Sequence, residues 1–422
     1  MVSGQLVLEK MQLVWSTELA LAVEGMGIKD MKRFTEFWLR RSFAVVVALL
    51  AVSVLATAGT PYVVTNDDTP FPFRTGVSFY TLGADSLPVF LQQVQTGTSG
   101  IGGGYFGMNR LAMLNSSAQQ CIYASEASTG QIVGISVSSL TLGGSASGSS
   151  TDGGTSNGIG LAVNSTYLYA SFSDSNTIGT FQVQSGCSLS FIGDTSLTGL
   201  NGGIINGMAI HGTMMIVTFT DGSIESFNIS AGTPVSNSDE QTSSATLWST
   251  GATSPNSIDI TSDGHFAIFG DTSTAVSVEI SDISSGKLTK TRLYKSDASI
   301  SSSNVMLSPD ETVLYVINTQ GARVSALFFD KTKGTLSSGC TSLPLSGLSA
   351  NWSYLVTPAL ISQTGNGGGV YVAEFGSTPG IATVALTSTG SSCTLQEVPG
   401  SPVSDRNSLG LLSIGNFPPR SF

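Results

Sequence analysis

Arginine is scarce in this sequence, so its placement carries information. Beyond residue 58 it occurs at Arg74, Arg110, Arg292, Arg323, Arg406 and Arg420. A guanidinium holds a carboxylate or phosphate with two parallel hydrogen bonds. If Arg74, Arg110 and Arg406 converge to ~8 Å at an effective dielectric of ~20, each pair repels by ~2 kcal/mol. Such a cluster needs neutralising, either by Asp67, Asp68, Glu126 and Asp405 of the chain itself or by an anionic ligand. Acidic or amide side chains recur at Asp67, Glu126, Asp174, Asp221, Asp271, Asn318 and Glu374. Asx side chains commonly close turns, which is the plain reading of this series. Glu126 and Asp271 are the candidates for proton transfer, and Arg74, Arg110, Arg406, Arg323 and Trp352 are the candidates for ligand binding. Trp352, like Tyr105 and Phe106, suits stacking on a sugar ring or simple loop packing.

Other chemistries find less support. Carboxylates dispersed through the chain do not make a metal cluster, so no metal site is expected. The glycines of GGGYFGMNR, 102–110, do not lie between a strand and a helix pattern, which argues against a nucleotide cofactor. Beyond the N-terminal segment the histidines are His211 and His265, in AIHGTMM and TSDGHFA. Both read as residues of exposed turns. The four cysteines, Cys121, Cys187, Cys340 and Cys393, form no CxxC and allow three disulfide pairings. A formal charge of −11 argues against nucleic acid, which selects a basic surface.

The elements that must position these residues are strands. Charged residues make up 11% of the chain and there are 49 glycines, a composition suited to short strands and tight turns rather than to disorder. One strand recurs as YVVTND, IYASEA, LYASFSD, MIVTFTD, FAIFGD, LYVINT and VYVAEF, at intervals near 50 residues. A following strand recurs as GVSFYTL, QIVGISV, TIGTFQV, SIESFNI, AVSVEI, RVSALFF and GIATVAL, and a further strand follows a turn, as in GKLTKTRLY. The strand that opens each unit is announced by Asn109, Asn157, Asn206, Asn256, Asn304, Asn351 and Asn407. That periodicity predicts an all-β, seven-bladed propeller of four-stranded antiparallel blades. YVVTND has no opening strand before it, and the last opening strand, about 409–414, has none after it. The C-terminal strand is therefore expected to complete the N-terminal blade and close the ring.

On this topology the loops entering each blade and those between second and third strands share one end. Glu126, Asp271 and four of the arginines, Arg74, Arg110, Arg323 and Arg406, fall at that loop end, and both histidines at the other. A Ser/His/Asp triad would need a histidine at the loop end.

The N-terminus is read separately. From Met31, a basic start, an apolar run from Phe43 to Leu55 and Ala56-Thr57-Ala58 match the three regions of a secretory signal. The apolar run is shorter than the ~20 residues of a spanning helix. The expectation is a signal peptide over Met31–Ala58, an over-long start or disordered extension over residues 1–30, and a propeller over 59–422. The mature protein is expected in the periplasm or outside the cell, as a monomer touching a membrane only through an uncleaved signal.

The units LSPDETVLYVINTQGARVSALFFDKTKGTL and SPNSIDITSDGHFAIFGDTSTAVSVEI resemble those of the seven-bladed lactonase family, which includes 6-phosphogluconolactonase and 3-carboxymuconate cyclase. The resemblance spans roughly Pro61 to Pro419, and exported propellers of the YVTN type share the repeat. It implies a metal-independent lactone hydrolase with a polar site at one end of the central channel. It further implies an Arg/His pair entering a blade and a Glu after the second strand. Here Pro255-Asn256-Ser257 stands where the pair would be, and Asp271 where the Glu would be. Two functions follow as expectations. One is binding or hydrolysis of a small anionic or sugar-derived lactone, and the other is non-catalytic binding of protein or glycan.

Overall fold

The computed structural model describes residues 61–417 and 419, apart from the segments 68–74, 84–85, 98–108, 127–128, 149–158, 174, 240–254, 272–277, 295–301, 319–322, 347–353, 361–366, 376–379, 390–391 and 405–410. The predicted leader Met31–Ala58 and the extension before it lie outside the described residues. The chain divides into Met1–Gly59 and Thr60–Phe422. The second unit holds every described element, and none of these is a helix long and apolar enough to cross a membrane.

That unit is a ring of seven antiparallel blades. Blade two shows the plan: Leu111–Asn115, Gln120–Glu126, Gln131–Ser136 and Thr141–Ser147 pair in chain order. First strands of successive blades contact one another, so they line the central channel. Blade seven adds a fifth strand, Val403–Ser404, paired to its third strand Gly380–Thr389. Ring closure follows the expectation with a shifted boundary. The closing strand is Leu411–Phe417, against the predicted 409–414. It pairs antiparallel with Tyr62–Asp67, matching Val63 with Asn416 and Thr65 with Ile414. The strand runs on to Phe417 because that side chain is buried, 1% exposed, in the seam between blades one and two.

The core lies in the seams between blades. Each inner strand is covered on both faces, so its run is nearly continuous in apolar residues and alternate positions serve alternate neighbours. In blade two, Cys121 and Tyr123 pack with Leu168 and Phe181 of blade three, while Ile122 and Ala124 pack with Val64 and Phe79 of blade one. In blade seven, Val370 and Val372 face Ile317 and Val324 of blade six, while Tyr371 and Ala373 face Val63 and Tyr80 of blade one.

Both disulfides cross seams. Cys121–Cys187 joins blade two to blade three, and Cys340–Cys393 joins blade six to blade seven. The first lies where two backbones nearly touch. A Cβ at Gly134 would stand 1.8 Å from the carbonyl oxygen of Cys187, so only glycine admits the turn after Val183 against blade two. At the end away from the loops, turns are closed by their own side chains. In the turn after Leu307, Ser308 donates to Asp310 at 2.6 Å, and Asp310 also accepts from Thr312.

Candidate functional site

Second strands carry an apolar run that gives way to polar side chains where it reaches the loop end. Because both faces of these strands are covered, the polar residues are buried with the rest. Asp67, Glu126 and Glu374 each stand near the last position of a second strand and each is 0% exposed. Burying a carboxyl costs free energy unless hydrogen bonds replace the lost water. The three meet that cost differently.

Asp67 is well held. It accepts Thr65 Oγ1 at 2.9 Å, Ser78 Oγ at 2.5 Å and Gln93 Nε2 at 2.7 Å, all from its own blade. Glu126 is held across a seam. Its Oε2 accepts Thr75 Oγ1 of blade one at 2.6 Å, and Thr75 meets Thr96 Oγ1 at 2.6 Å. Asn66 of blade one ties the same place together by donating to the carbonyl of Ser125 at 3.0 Å. Glu374 has neither kind of support, and both of its oxygens lack a hydrogen-bond partner. Burial, reinforced by the like charge of Glu397, pushes its carboxyl up to about 7.

Arg110 enters blade two at the same end. It is 1% exposed, and its carbonyl accepts the Ser125 amide at 3.1 Å, beside Glu126. The structure thus brings Arg110 and Glu126 to one end of adjacent strands, next to Thr75 and Asp67 of blade one. Arg323 does not join them. It begins the third strand of blade six, opposite Asn318, and is exposed. Arg74, Arg406 and Trp352 lie outside the described residues. Asp271 ends the second strand of blade five, in register with Pro255. The Pro255-Asn256-Ser257 segment that faces it is engaged elsewhere. Asn206 donates to the Pro255 carbonyl at 2.7 Å, and Ser257 Oγ accepts the Val305 amide of blade six at 3.0 Å.

Loop-end Asp221 closes its turn, as the plain reading of that series had it. Burial pushes its carboxyl up, but hydrogen bonds from Ser223 and from the amides of Asn201 and Gly203 outweigh that and hold it below the usual range. The histidines lie at the opposite end, as expected. His211 ends its strand and its Nε2 lies 3.0 Å from the Ser262 carbonyl, while His265 Nδ1 pairs with Asp263 at 2.9 Å. A groove of about 560 Å³ opens there between blades five and six, lined by Asp263, His265, Phe266, Asp282, Lys331 and Lys333. Among the described residues no three His, Cys, Asp or Glu side chains are grouped as metal ligands would be.

Two fully buried acids within strands are not among the candidates that the sequence offers. Glu374 stood in the series of turn residues, and nothing in VYVAEF separates it from the others. Glu279, also 0% exposed, had a signal: in AVSVEI it is an acid inside an apolar strand covered on both sides.

The chain matches no family model and no curated protein. Among solved structures it is similar to a putative 6-phosphogluconolactonase of Bacteroides fragilis NCTC 9343, with a TM-score of 0.62 and 13% identity over 85% of this chain and 99% of that one. A putative 6-phosphogluconolactonase of Bacteroides uniformis ATCC 8492 gives a TM-score of 0.63 at 12% identity, over 84% and 99%. The periplasmic gluconolactonase PpgL of Pseudomonas aeruginosa gives 0.58 at 13% identity, over 84% and 96%. At these identities the likeness is one of fold: the chain is a seven-bladed β-propeller.

Proposed function

We propose that this protein is an exported, monomeric lactonase-like propeller that takes a small anionic or sugar-derived lactone at the loop end of its channel. The observation that carries this reading is the gathering of Asp67, Arg110 and Glu126 at the loop end of blades one and two, all but fully buried. Stability alone does not favour burying such groups. In the hydrolytic reaction a water oxygen adds to the lactone carbonyl as a carboxylate takes its proton. The ring oxygen then leaves with a proton, giving the open hydroxy acid. In this reading Glu126 is the candidate carboxylate for the step, and Asp271 is the second candidate. Arg110, with Arg74 and Arg406, would offset the ligand's negative charge, and Trp352 would stack on a sugar ring. No cofactor enters this scheme.

A second reading rests on a separate observation. Both histidines are engaged at the opposite end, and no Arg/His pair enters blade five. That favours a propeller that binds protein or glycan without turnover, in the periplasm or outside the cell.

The test is proton release by the secreted chain on a panel of sugar lactones, compared with spontaneous hydrolysis. Glu126→Gln should lower the rate by roughly 10²- to 10⁴-fold with the fold intact. Absence of turnover across the panel would remove the hydrolytic reading, and binding to a glycan array would then support the second. Export is checked by N-terminal sequencing of the secreted protein, which should begin at Gly59.

A further inference from the structure

Glu374 sits in a seam that gives it no reason to be there. Its side chain shares a face with Val370 and Val372, whose neighbours across the seam are Ile317, Val324 and Ala326 of blade six. The carboxyl is 0% exposed and neither oxygen has a hydrogen-bond partner. A buried polar group left unsatisfied is costly, and such groups concentrate where a protein stores a response.

The charges around it are few. Glu397 on the fourth strand of blade seven acts on it with the same sign, and is itself held by Ser346 at 2.8 Å and Ser401 at 3.0 Å. The first and third strands of blade seven, Tyr354–Leu360 and Gly380–Thr389, contain no Asp, Glu, Lys, Arg or His, nor does the closing strand Leu411–Phe417. In blade six the first, second and fourth strands likewise contain none. The third strand has Arg323 and Asp330 at its two ends. Arg323 is one position beyond Val324, which fills the seam, so alternation turns it toward blade five. Asp330 is bound to Thr332 and to Lys333 at 3.0 Å. Among the described residues no cation faces Glu374.

We propose that Glu374 makes the seam between blades six and seven pH-responsive: when its carboxyl gives up its proton to solvent, the loop end of that seam opens and admits water. Among the described residues such an anion has no hydrogen-bond partner in the closed seam, so opening is its route to hydration. The Cys340–Cys393 disulfide joins the outer strands of the same two blades, so the opening is local and does not separate them. The raised carboxyl, at about 7, places the transition near neutrality. This inference does not rest on lactone binding.

The experiment is amide hydrogen exchange on the full secreted chain at pH 5 and pH 8.5, corrected for intrinsic exchange rates. In the wild type, protection of residues 370–374, 315–318 and 323–326 should fall by roughly 50- to 100-fold between those pH values, while the seam between blades two and three holds. Glu374→Gln, which keeps the shape without the charge, and Glu374→Met, which removes the unsatisfied group, should both abolish the fall. The Glu374 carboxyl of the wild type, followed by ¹³C NMR, should titrate above the usual carboxylate range. Equal pH dependence in wild type and variants, or a carboxyl that titrates normally, would overturn the proposal.

Discussion

Thr75 of blade one donates its hydroxyl to Glu126 of blade two at 2.6 Å, with both side chains 0% exposed. The bond satisfies a buried carboxylate oxygen from the neighbouring blade, so the acid proposed for proton transfer also fastens a seam.

Thr75→Val removes that donor while keeping shape, and leaves Thr96 without its 2.6 Å partner. The expected loss is about 1–3 kcal/mol, seen as a lower denaturant midpoint at unchanged m-value. An unchanged midpoint would show that the bond contributes nothing net.

Glu374 makes global stability depend on pH with a definite sign. Its carboxyl is raised from the ordinary value to about 7, so the folded chain keeps its proton where the unfolded chain has released one. Stability is therefore greatest at or below the ordinary carboxylate value and is lost as pH rises through about 7. Between pH 5 and pH 8 this one group should remove about 2–3 kcal/mol, and Glu374→Gln should remove that component. Unfolding curves at the two pH values check it. A slope that survives the substitution belongs to other groups.

Each disulfide closes a long loop across a seam, with separations of 66 and 53 residues. Replacing either pair by alanine should cost about 2–4 kcal/mol, and the two losses should add because the seams are far apart in the ring. Thermal unfolding of the single-pair and double-pair variants measures this. A reductant that leaves the melting temperature untouched would count against the bonds.

Ring closure depends on Leu411–Phe417. Phe417→Ala empties a buried aromatic site between blades one and two and should cost about 3–5 kcal/mol. Deleting residues 411–422 goes further, because it bares the edge of Tyr62–Asp67. The truncated chain should elute as oligomers or aggregate in size-exclusion chromatography. A monomeric, cooperatively folding truncation would show that the closing strand is dispensable.

The architecture could be read because it repeats. Strand alternation, turn residues and a period near 50 are local features, and seven copies make each one's weakness tolerable. Even the ring closure was legible, since one blade lacked its first strand at one end of the chain and the missing strand stood at the other. The boundary moved to Phe417 because burial in a seam, a non-local quantity, decides where pairing stops. The candidate site was legible in part. Glu126 and Arg110 were named from position at the loop end, yet their burial was not foreseen. Arg323 was grouped with them on the same grounds and lies on another blade, exposed.

The sequence by itself determined the class of fold, the blade count, the end of the ring at which polar residues gather and the side on which the histidines fall. Those follow from spacing along the chain. Only the tertiary structure decided the disulfide pairing, because three pairings satisfy the same four cysteines and only the seams bring Cys121 to Cys187 and Cys340 to Cys393. Only the tertiary structure separated three similar acids. Among the described residues Asp67 accepts hydrogen bonds from its own blade and Glu126 accepts one from the next blade, whereas neither oxygen of Glu374 has a hydrogen-bond partner. A carboxyl's state depends on what stands across the seam from it, and that neighbour lies dozens of residues away in the chain.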